Sequence, residues 1–155
     1  DCCDQADNAD AIEMAIWYHD CIYQVGARDN ESRSRDWFLE NTDGIMDEDF
    51  RKRVSALIMD TCHREKPQTD DGKLLADIDL TSFGLPWEKY LADGMNVQKE
   101  QGTDSSGSAK SPKMGFLENL GKGESIYFST YYLEHYEKAA QENINSHLAQ
   151  LQQGC

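Results

Sequence analysis

Two histidines and several aspartates of this chain stand among apolar residues. His19 and Asp20 lie in the apolar stretch AIEMAIWYHDCIY, and His63 closes the run LIMDTCH. Asp77 and Asp79 interrupt the apolar segment LLADIDL. A carboxylate removed from water must be paired, hydrogen-bonded or bound to a cation. These positions therefore predict either a buried polar network or a cation site.

Imidazole nitrogen and carboxylate oxygen together suit Zn, Mn, Fe, Ni or Co better than Ca. If the helices converge on one point, His19, Asp20 and Asp79 could surround one divalent cation. In the alternative interpretation, His19 and Asp20 cap or bridge neighbouring helices. The residue types alone leave both interpretations open.

Apolar residues recur at helical spacing along most of the chain, and no useful length alternates with the period of a strand. The steps between Phe50, Val54, Leu57 and Ile58 are an example. The pattern predicts an all-α protein, and its first helix is apolar on nearly every side, which is typical of a central, buried helix. The predicted helices cover residues 8–23, 29–40, 47–64, 70–84, 87–97, 116–120 and 129–151.

The length of 155 residues fits a single domain over residues 1–155. The tract QGTDSSGSAKSPK, residues 101–113, is of low complexity and predicts a mobile loop. No apolar run approaches the length of a transmembrane helix.

The chain is strongly acidic, with 15 Lys and Arg residues against 29 Asp and Glu residues and a formal net charge of −14. Binding to a nucleic-acid polymer needs a basic surface, and so does binding to an anionic membrane. We therefore expect neither partner. The odd number of cysteines, without a C-x-x-C pair, favours reduced thiols and a cytoplasmic location. The cysteines are Cys2, Cys3, Cys21, Cys62 and Cys155.

Four ordered segments carry a resemblance to a known family. The segments AIWYHDCIY, ARDNESRSRDWF, LIMDTCH and LLADIDLTSFG are similar to those of the HD-domain metal-dependent phosphohydrolases, in particular a branch of predicted bacterial HD hydrolases. The later FLENLGKGESIYFSTYYLEHYEKAAQENI resembles the closing segment of that branch. The resemblance covers most of residues 11–148, and it implies a compact helical bundle of the HD-domain type.

The resemblance also implies which residues bind a divalent metal, whose identity among Mn, Fe, Co, Ni, Zn and Mg stays open. His19 and Asp20 match the histidine and aspartate that name the superfamily. Asp79 best matches its closing aspartate, and Asp77 is the reserve ligand or a supporting residue, since the sequence leaves an ambiguity of two residues.

The same resemblance implies catalytic roles for Asp20, His63 and Glu31. Asp20 would bridge metals or accept a proton, and His63 would bind a second metal or contact a substrate phosphate. Glu31 and Asp29 match the D-N-E segment and would orient water or support the fold, with support the expected role of Asp29. Weaker candidates for binding the substrate phosphate are Lys99, Lys110 and Lys113.

Family members carry a further metal-binding histidine on an earlier helix. The histidines here are His19, His63, His135 and His147, so none precedes the His-Asp pair. Because the sequence starts without Met shortly before that pair, we expect an N-terminal portion to precede Asp1. Without such a portion the metal site would be incomplete and activity would be in doubt.

The function implied by the resemblance is hydrolysis of a small phosphomonoester or nucleotide by a metal-activated water. One alternative is a non-catalytic helical sensor domain that binds a metal or a nucleotide. Another is a structural or interaction domain. The substrate and the oligomeric state, including a homo-oligomer, stay open.

Overall fold

The computed structural model describes residues 5–100 and 112–153, except for the side chains of residues 98, 100, 112–114 and 153. The described residues form eight α-helices and a 3₁₀-helix, Thr81–Gly84, with no strand among them. The all-α prediction is therefore confirmed. The α-helices are α1 Ala9–Tyr18, α2 Asn30–Asn41, α3 Glu48–Asp60, α4 Asp70–Asp79, α5 Trp87–Glu100, α6 Pro112–Gly121, α7 Thr130–His135 and α8 Glu137–Gln153.

Three helices end earlier than the apolar pattern predicts, and one of them, α4, ends at Asp79 rather than at residue 84. Helix α1 ends at Tyr18 rather than at residue 23, so His19 and Asp20 follow the helix instead of lying inside it. The backbone N–H of His19 makes the last helical bond, to the carbonyl of Ala15. Helix α3 ends at Asp60 rather than at residue 64. The site-bearing residues after α1 and α3 are therefore on turns.

The predicted closing helix, residues 129–151, is divided into two. Tyr136 has φ −122° and ψ −27° and separates α7 from α8. Residues 101–111 of the predicted loop over residues 101–113 lie outside the described residues. Its last two residues, Pro112 and Lys113, begin α6 instead, which corrects that end of the prediction. Proline is favoured at the first position of a helix because its missing N–H would have no helical partner there.

The chain divides into two compact units, Asp1–Asp79 and Leu80–Cys155. In the first unit, α3 packs against α1, α2 and α4, and α1 also contacts α4. Each helix contributes a small set of buried apolar side chains to this core. They are Ala11, Ile12, Ala15, Phe38, Val54, Leu57, Ile58, Leu74, Leu75 and Ala76.

Helix α1 is not buried on all sides, contrary to the prediction. Ala11, Ile12 and Ala15 are buried, whereas the side chain of Trp17 is 75% exposed and that of Ile16 is 37% exposed. Three other helices share the burial in this unit, so one face of α1 is sufficient to complete the core. An apolar sequence therefore does not make this helix the centre of the unit.

In the second unit, α8 packs against α6, α7 and the 3₁₀-helix. The carboxylate of Glu137 accepts hydrogen bonds from the backbone N–H groups of Ile126 and Tyr127, with oxygen-to-nitrogen distances of 3.0 Å. The amide of Asn143 donates to the carbonyls of Phe83 and Leu85 at 2.8 Å. These side chains hold the loops of the unit against α8.

The prediction of a single domain stays a prediction.

None of the helices in the described part of the chain combines the length and the apolar composition that crossing a bilayer requires. Cys21 and Cys62 are free thiols. The other three cysteines lie outside the described residues.

Candidate metal centre

Side-chain caps at its N-terminus fix helix α1, which leads into the site. The side chain of Asn8 accepts a hydrogen bond from the N–H of Ala11. Asp71, at the start of α4, is buried, and its Oδ1 accepts from the N–H groups of Asp7 at 2.7 Å and of Asn8 at 3.3 Å. Asp71 therefore joins the first turn of α4 to the first turn of α1, so these two site-bearing helices are held in register.

Helix α2 holds the segment that follows His19. Asn30 accepts a hydrogen bond from the N–H of Gln24 and donates one to its carbonyl, at 2.9 and 3.1 Å. Ser34 is related to Ile22 in the same reciprocal way, at 3.0 and 3.3 Å. These four hydrogen bonds explain why the chain leaves the helix after Tyr18, because backbone groups that would continue the helix are satisfied by side chains of α2.

His19 faces two carboxylates. Its Nδ1 lies 2.8 Å from the carbonyl oxygen of Ile16, and because a carbonyl only accepts, Nδ1 carries a proton. Its Nε2 lies 3.4 Å from Oδ2 of Asp20 and 3.4 Å from Oδ1 of Asp79. The ring is therefore oriented so that one nitrogen is directed at both acids.

His63 reaches the same carboxylate from the turn after α3. Its Nε2 lies 2.7 Å from Oδ2 of Asp79, so the two oxygens of Asp79 face different imidazoles. The backbone of His63 has φ +50°, a left-handed conformation that a non-glycine residue adopts at a cost. The local backbone conformation thus contributes to placing the ring of His63 against Asp79.

The charges in this cluster favour one ionised carboxylate and one protonated imidazole. Burial raises the pKa of Asp79, but the hydrogen bonds and charges of His19 and His63 outweigh it and hold that pKa well below its usual range. Burial lowers the pKa of His19, yet its bond to Asp79 and the charges of Asp79 and Asp20 raise that pKa to about 9. Asp79 is therefore a firmly ionised group, and a proton is held on His19.

The pKa of Asp20, the second carboxyl of the cluster, is shifted in the opposite direction. Burial raises the pKa of Asp20, and the negative charges of Asp79 and Glu31 raise it further against the opposing effect of His19 and His63. The side chain of Asp20 is 53% exposed. Two neighbouring carboxyls whose pKa values are shifted apart are typical of sites in which one group binds and the other exchanges protons.

Glu31, in the first turn of α2, lies at the edge of the cluster. Its negative charge raises the pKa of Asp20 and also that of the neighbouring Cys62. Burial raises the pKa of the Cys62 thiol, Glu31 raises it further, and the cations Arg64 and Arg35 act in the opposite direction. Acidic and basic groups therefore both border the site.

The structure thus brings together His19, Asp20, Asp79 and His63, with Glu31 beside them. Asp77 is fully buried in α4 two residues before Asp79, so the two side chains leave the helix on different sides. Asp79 contacts both imidazoles.

The remaining predicted residues are Asp29, Lys99, Lys110 and Lys113. Asp29 takes the N-cap position of α2 without a side-chain cap bond, and its carbonyl accepts from Ser32 and from the N–H of Arg33. Lys99 is an exposed residue of the second unit. Neither the side chain of Lys113 nor Lys110 is among the described groups. Their proposed contact with a phosphate stays a prediction.

The donor set fits a divalent cation in type. Two ligands bound at about 2.1 Å to a tetrahedral ion lie about 3.4 Å apart, and both distances from Nε2 of His19 have this length. A proton on Nδ1 held by a backbone carbonyl is also the usual arrangement of a metal-binding histidine. However, in the part of the chain that the structure describes, no group of three or more His, Cys, Asp or Glu side chains is placed so that it could hold a metal ion. A cation would have to displace the proton that the raised pKa of His19 keeps on its Nε2.

Comparison of the chain with models of protein families, with curated proteins and with solved structures gave no match in any of the three. The assignment of the site therefore depends on its residues and their geometry.

Several supporting residues were missed at the level of the sequence. Asn30 and Ser34 fix the turn after His19, and their separation of four residues on α2 is a signal for two side chains on one helix face. Arg28 and Arg64 border the site from the turns that carry the cluster. Their nearness could not be inferred, because it depends on where α1 and α3 end.

Proposed function

We propose that this protein is a metal-dependent phosphohydrolase of the HD-domain type, acting on a small phosphomonoester or nucleotide. The single observation that carries the proposal is a cluster of four residues from three separate segments, in which His19 and His63 contact Asp79 and Asp20 contacts His19. Each of these residues also occupies a position of the HD motifs that the sequence resembles. A structural role alone does not require two imidazoles on one carboxylate.

In this proposal His19, Asp20 and Asp79 hold the cation. A divalent cation bound there would polarise a phosphoryl oxygen and lower the pKa of a water molecule. Asp79 supplies a permanent negative charge because its pKa is held well below its usual range. Because His19 carries a proton near neutral pH, cation binding is accompanied by proton release from its Nε2.

Asp20 and His63 are the residues proposed to exchange protons with the reacting groups. The raised pKa of Asp20 and its partial exposure suit it to accept a proton from water. The ring of His63 is held by Asp79 at 2.7 Å and would orient toward a phosphate oxygen or a second cation. Glu31 is proposed to position the water, since its charge acts at Asp20.

The test is an assay of the full-length protein against a panel of phosphate esters, with Mn, Co, Ni, Zn, Fe or Mg supplied in turn. We expect turnover with at least one metal and its loss on addition of EDTA. His63→Asn is expected to lower kcat by about 100-fold or more, as removal of a proton-transfer group does. Absence of turnover with every metal, in a protein that still binds one, would favour a sensor domain instead.

A further inference from the structure

The Lys and Arg side chains of the first unit fall into two groups, those with an ion-paired carboxylate and those without one among the described residues. Most of those with described contacts are ion-paired with a carboxylate, and the pairs are Arg35–Asp36, Arg51–Asp43, Arg53–Asp71, Lys52–Glu48 and Lys73–Asp70. Arg28, Arg33 and Arg64 have no ion pair with any described carboxylate. In a chain with 29 acidic and 15 basic residues, three arginines without an acidic partner among the described side chains are unexpected.

The side chains of Arg33 and Arg64 both attach to the turn that ends at Arg28. The guanidinium of Arg64 donates a hydrogen bond through Nη2 to the backbone carbonyl of Arg28. Arg33 donates through Nη1 to the side chain of Gln24 at 3.2 Å. Gln24 and Ala27 close a tight turn, with the N–H of Ala27 bonded to the carbonyl of Gln24 at 3.0 Å. The groups that accept hydrogen bonds from Arg33 and Arg64 therefore lie at the two ends of a short segment, residues 24–28.

This segment borders the candidate metal centre along the chain and across the turns. It follows His19 and Asp20 in the connection between α1 and α2. Arg64 follows His63 directly, and its charge acts on the thiol of Cys62 on the other side of that histidine. Three arginines that pair with no described carboxylate thus lie on or beside the turns next to a site whose other charged groups are mostly acidic.

We propose that Arg28, Arg33 and Arg64 form an anion-binding patch that receives a phosphate group of the substrate. Guanidinium groups bind phosphate oxygens through paired, charge-assisted hydrogen bonds, for which Arg64 retains the Nε and Nη1 donors. In an otherwise acidic protein, such a patch also sets where a small anion can approach. The identity of the ligand as a substrate group rests on the proposed function, whereas binding of phosphate itself does not.

The experiment is an NMR titration of the protein with inorganic phosphate in EDTA, at constant ionic strength maintained with chloride. We expect the amide signals of residues 24–28 and of Arg64 to shift with phosphate. Arg64→Gln is expected to raise the Kd about tenfold, since one charged hydrogen-bond donor is lost. Arg28→Gln leaves the backbone carbonyl that holds Arg64 and is expected to raise the Kd without affecting folding.

Lys52→Gln is the matched control, because it removes the same charge from an exposed ion pair on α3. It is expected to leave the Kd within about twofold of the original value. The proposal is overturned if no signal shifts, if the shifts lie elsewhere, or if Lys52→Gln weakens binding as much as Arg64→Gln.

The result of the phosphate titration can be distinguished from the result of the phosphohydrolase assay. Phosphate binding at this turn, in a protein without turnover under any metal, would support the patch and contradict the phosphohydrolase. Turnover with an unchanged KM in Arg64→Gln and Arg28→Gln would contradict the patch and leave the phosphohydrolase intact.

Discussion

Asp79 is the residue on which the candidate site depends most directly. Its two carboxylate oxygens face different imidazoles, at 3.4 Å for His19 and 2.7 Å for His63. The pKa values that result are linked, because the ionised form of Asp79 favours the protonated form of His19. A change at Asp79 should therefore be visible in the titration of His19.

We expect the imidazole of His19 to titrate at about pH 9 in protein treated with EDTA. Since this folded-state pKa is raised from 6.5, the stability contributed by His19 is complete below pH 6.5 and is lost as the pH rises through about 9. Asp79→Asn should move the midpoint toward lower pH, measured from the ring signals by NMR.

Asp70→Asn is the control for this titration, because Asp70 is on the same helix and pairs with Lys73. An unchanged midpoint for His19 in Asp79→Asn would show that the carboxylate does not hold the proton as described.

At the scale of helices, the start of α1 depends on a buried residue of another helix. Asp71→Ala removes the acceptor of the N–H groups of Asp7 and Asn8 and should lower the free energy of unfolding by about 1–3 kcal/mol. Hydrogen exchange at the first turn of α1 should accelerate. Asp70→Ala, at the neighbouring exposed position, is expected to cost no more than about 0.5 kcal/mol. Equal losses in the two variants would contradict the capping role of Asp71.

Replacing two glycines of the second unit by alanine should change the free energy of unfolding in opposite directions. A Cβ at Gly84 would lie 2.7 Å from the Cβ of Tyr136, so Gly84→Ala should lower the free energy of unfolding by about 1–3 kcal/mol. A Cβ at Gly115 in α6 has no heavy atom within 4 Å, and Gly115→Ala should raise it by about 0.5–1 kcal/mol. Urea unfolding of both variants measures the difference, and a neutral Gly84→Ala would show that the 3₁₀-helix is not packed against Tyr136.

The helices were predictable from apolar spacing, but the positions at which they end were only partly so. Asp47, where the predicted helix begins, caps α3, and its side chain accepts hydrogen bonds from the N–H groups of Asp49 and Phe50. The early end of α1 was not predictable, because it depends on tertiary hydrogen bonds from Asn30 and Ser34. The left-handed backbone of His63 likewise leaves no pattern in the sequence.

The candidate site was predictable in its residues and less so in its geometry. Histidine and aspartate in apolar runs indicated which side chains need partners, and His19 and Asp79 are indeed in contact. The contact of Asp79 with both imidazoles was not predictable, because residues two apart on a helix point in different directions. The arginines at residues 28 and 64 came together only through the turns.

At the scale of the whole molecule, the net charge of −14 should disfavour polyanionic substrates relative to small ones. We expect kcat/KM for a phosphorylated oligonucleotide, relative to that for a small phosphomonoester, to rise as ionic strength increases from about 50 to about 500 mM. The reason is that salt screens the repulsion by the acidic surface. A ratio that is independent of salt would contradict this role of the charge.

The most direct test for a metal centre at His19, Asp20 and Asp79 is a titration of the protein with Co²⁺, followed by visible absorption and calorimetry. We expect one strong site whose affinity increases with pH as His19 loses its proton, and whose affinity falls by about 100-fold or more in Asp79→Asn. Asp70→Asn should bind as the original protein does. Absence of Co²⁺ binding, or equal affinity in Asp79→Asn and Asp70→Asn, would contradict a metal centre formed by His19, Asp20 and Asp79.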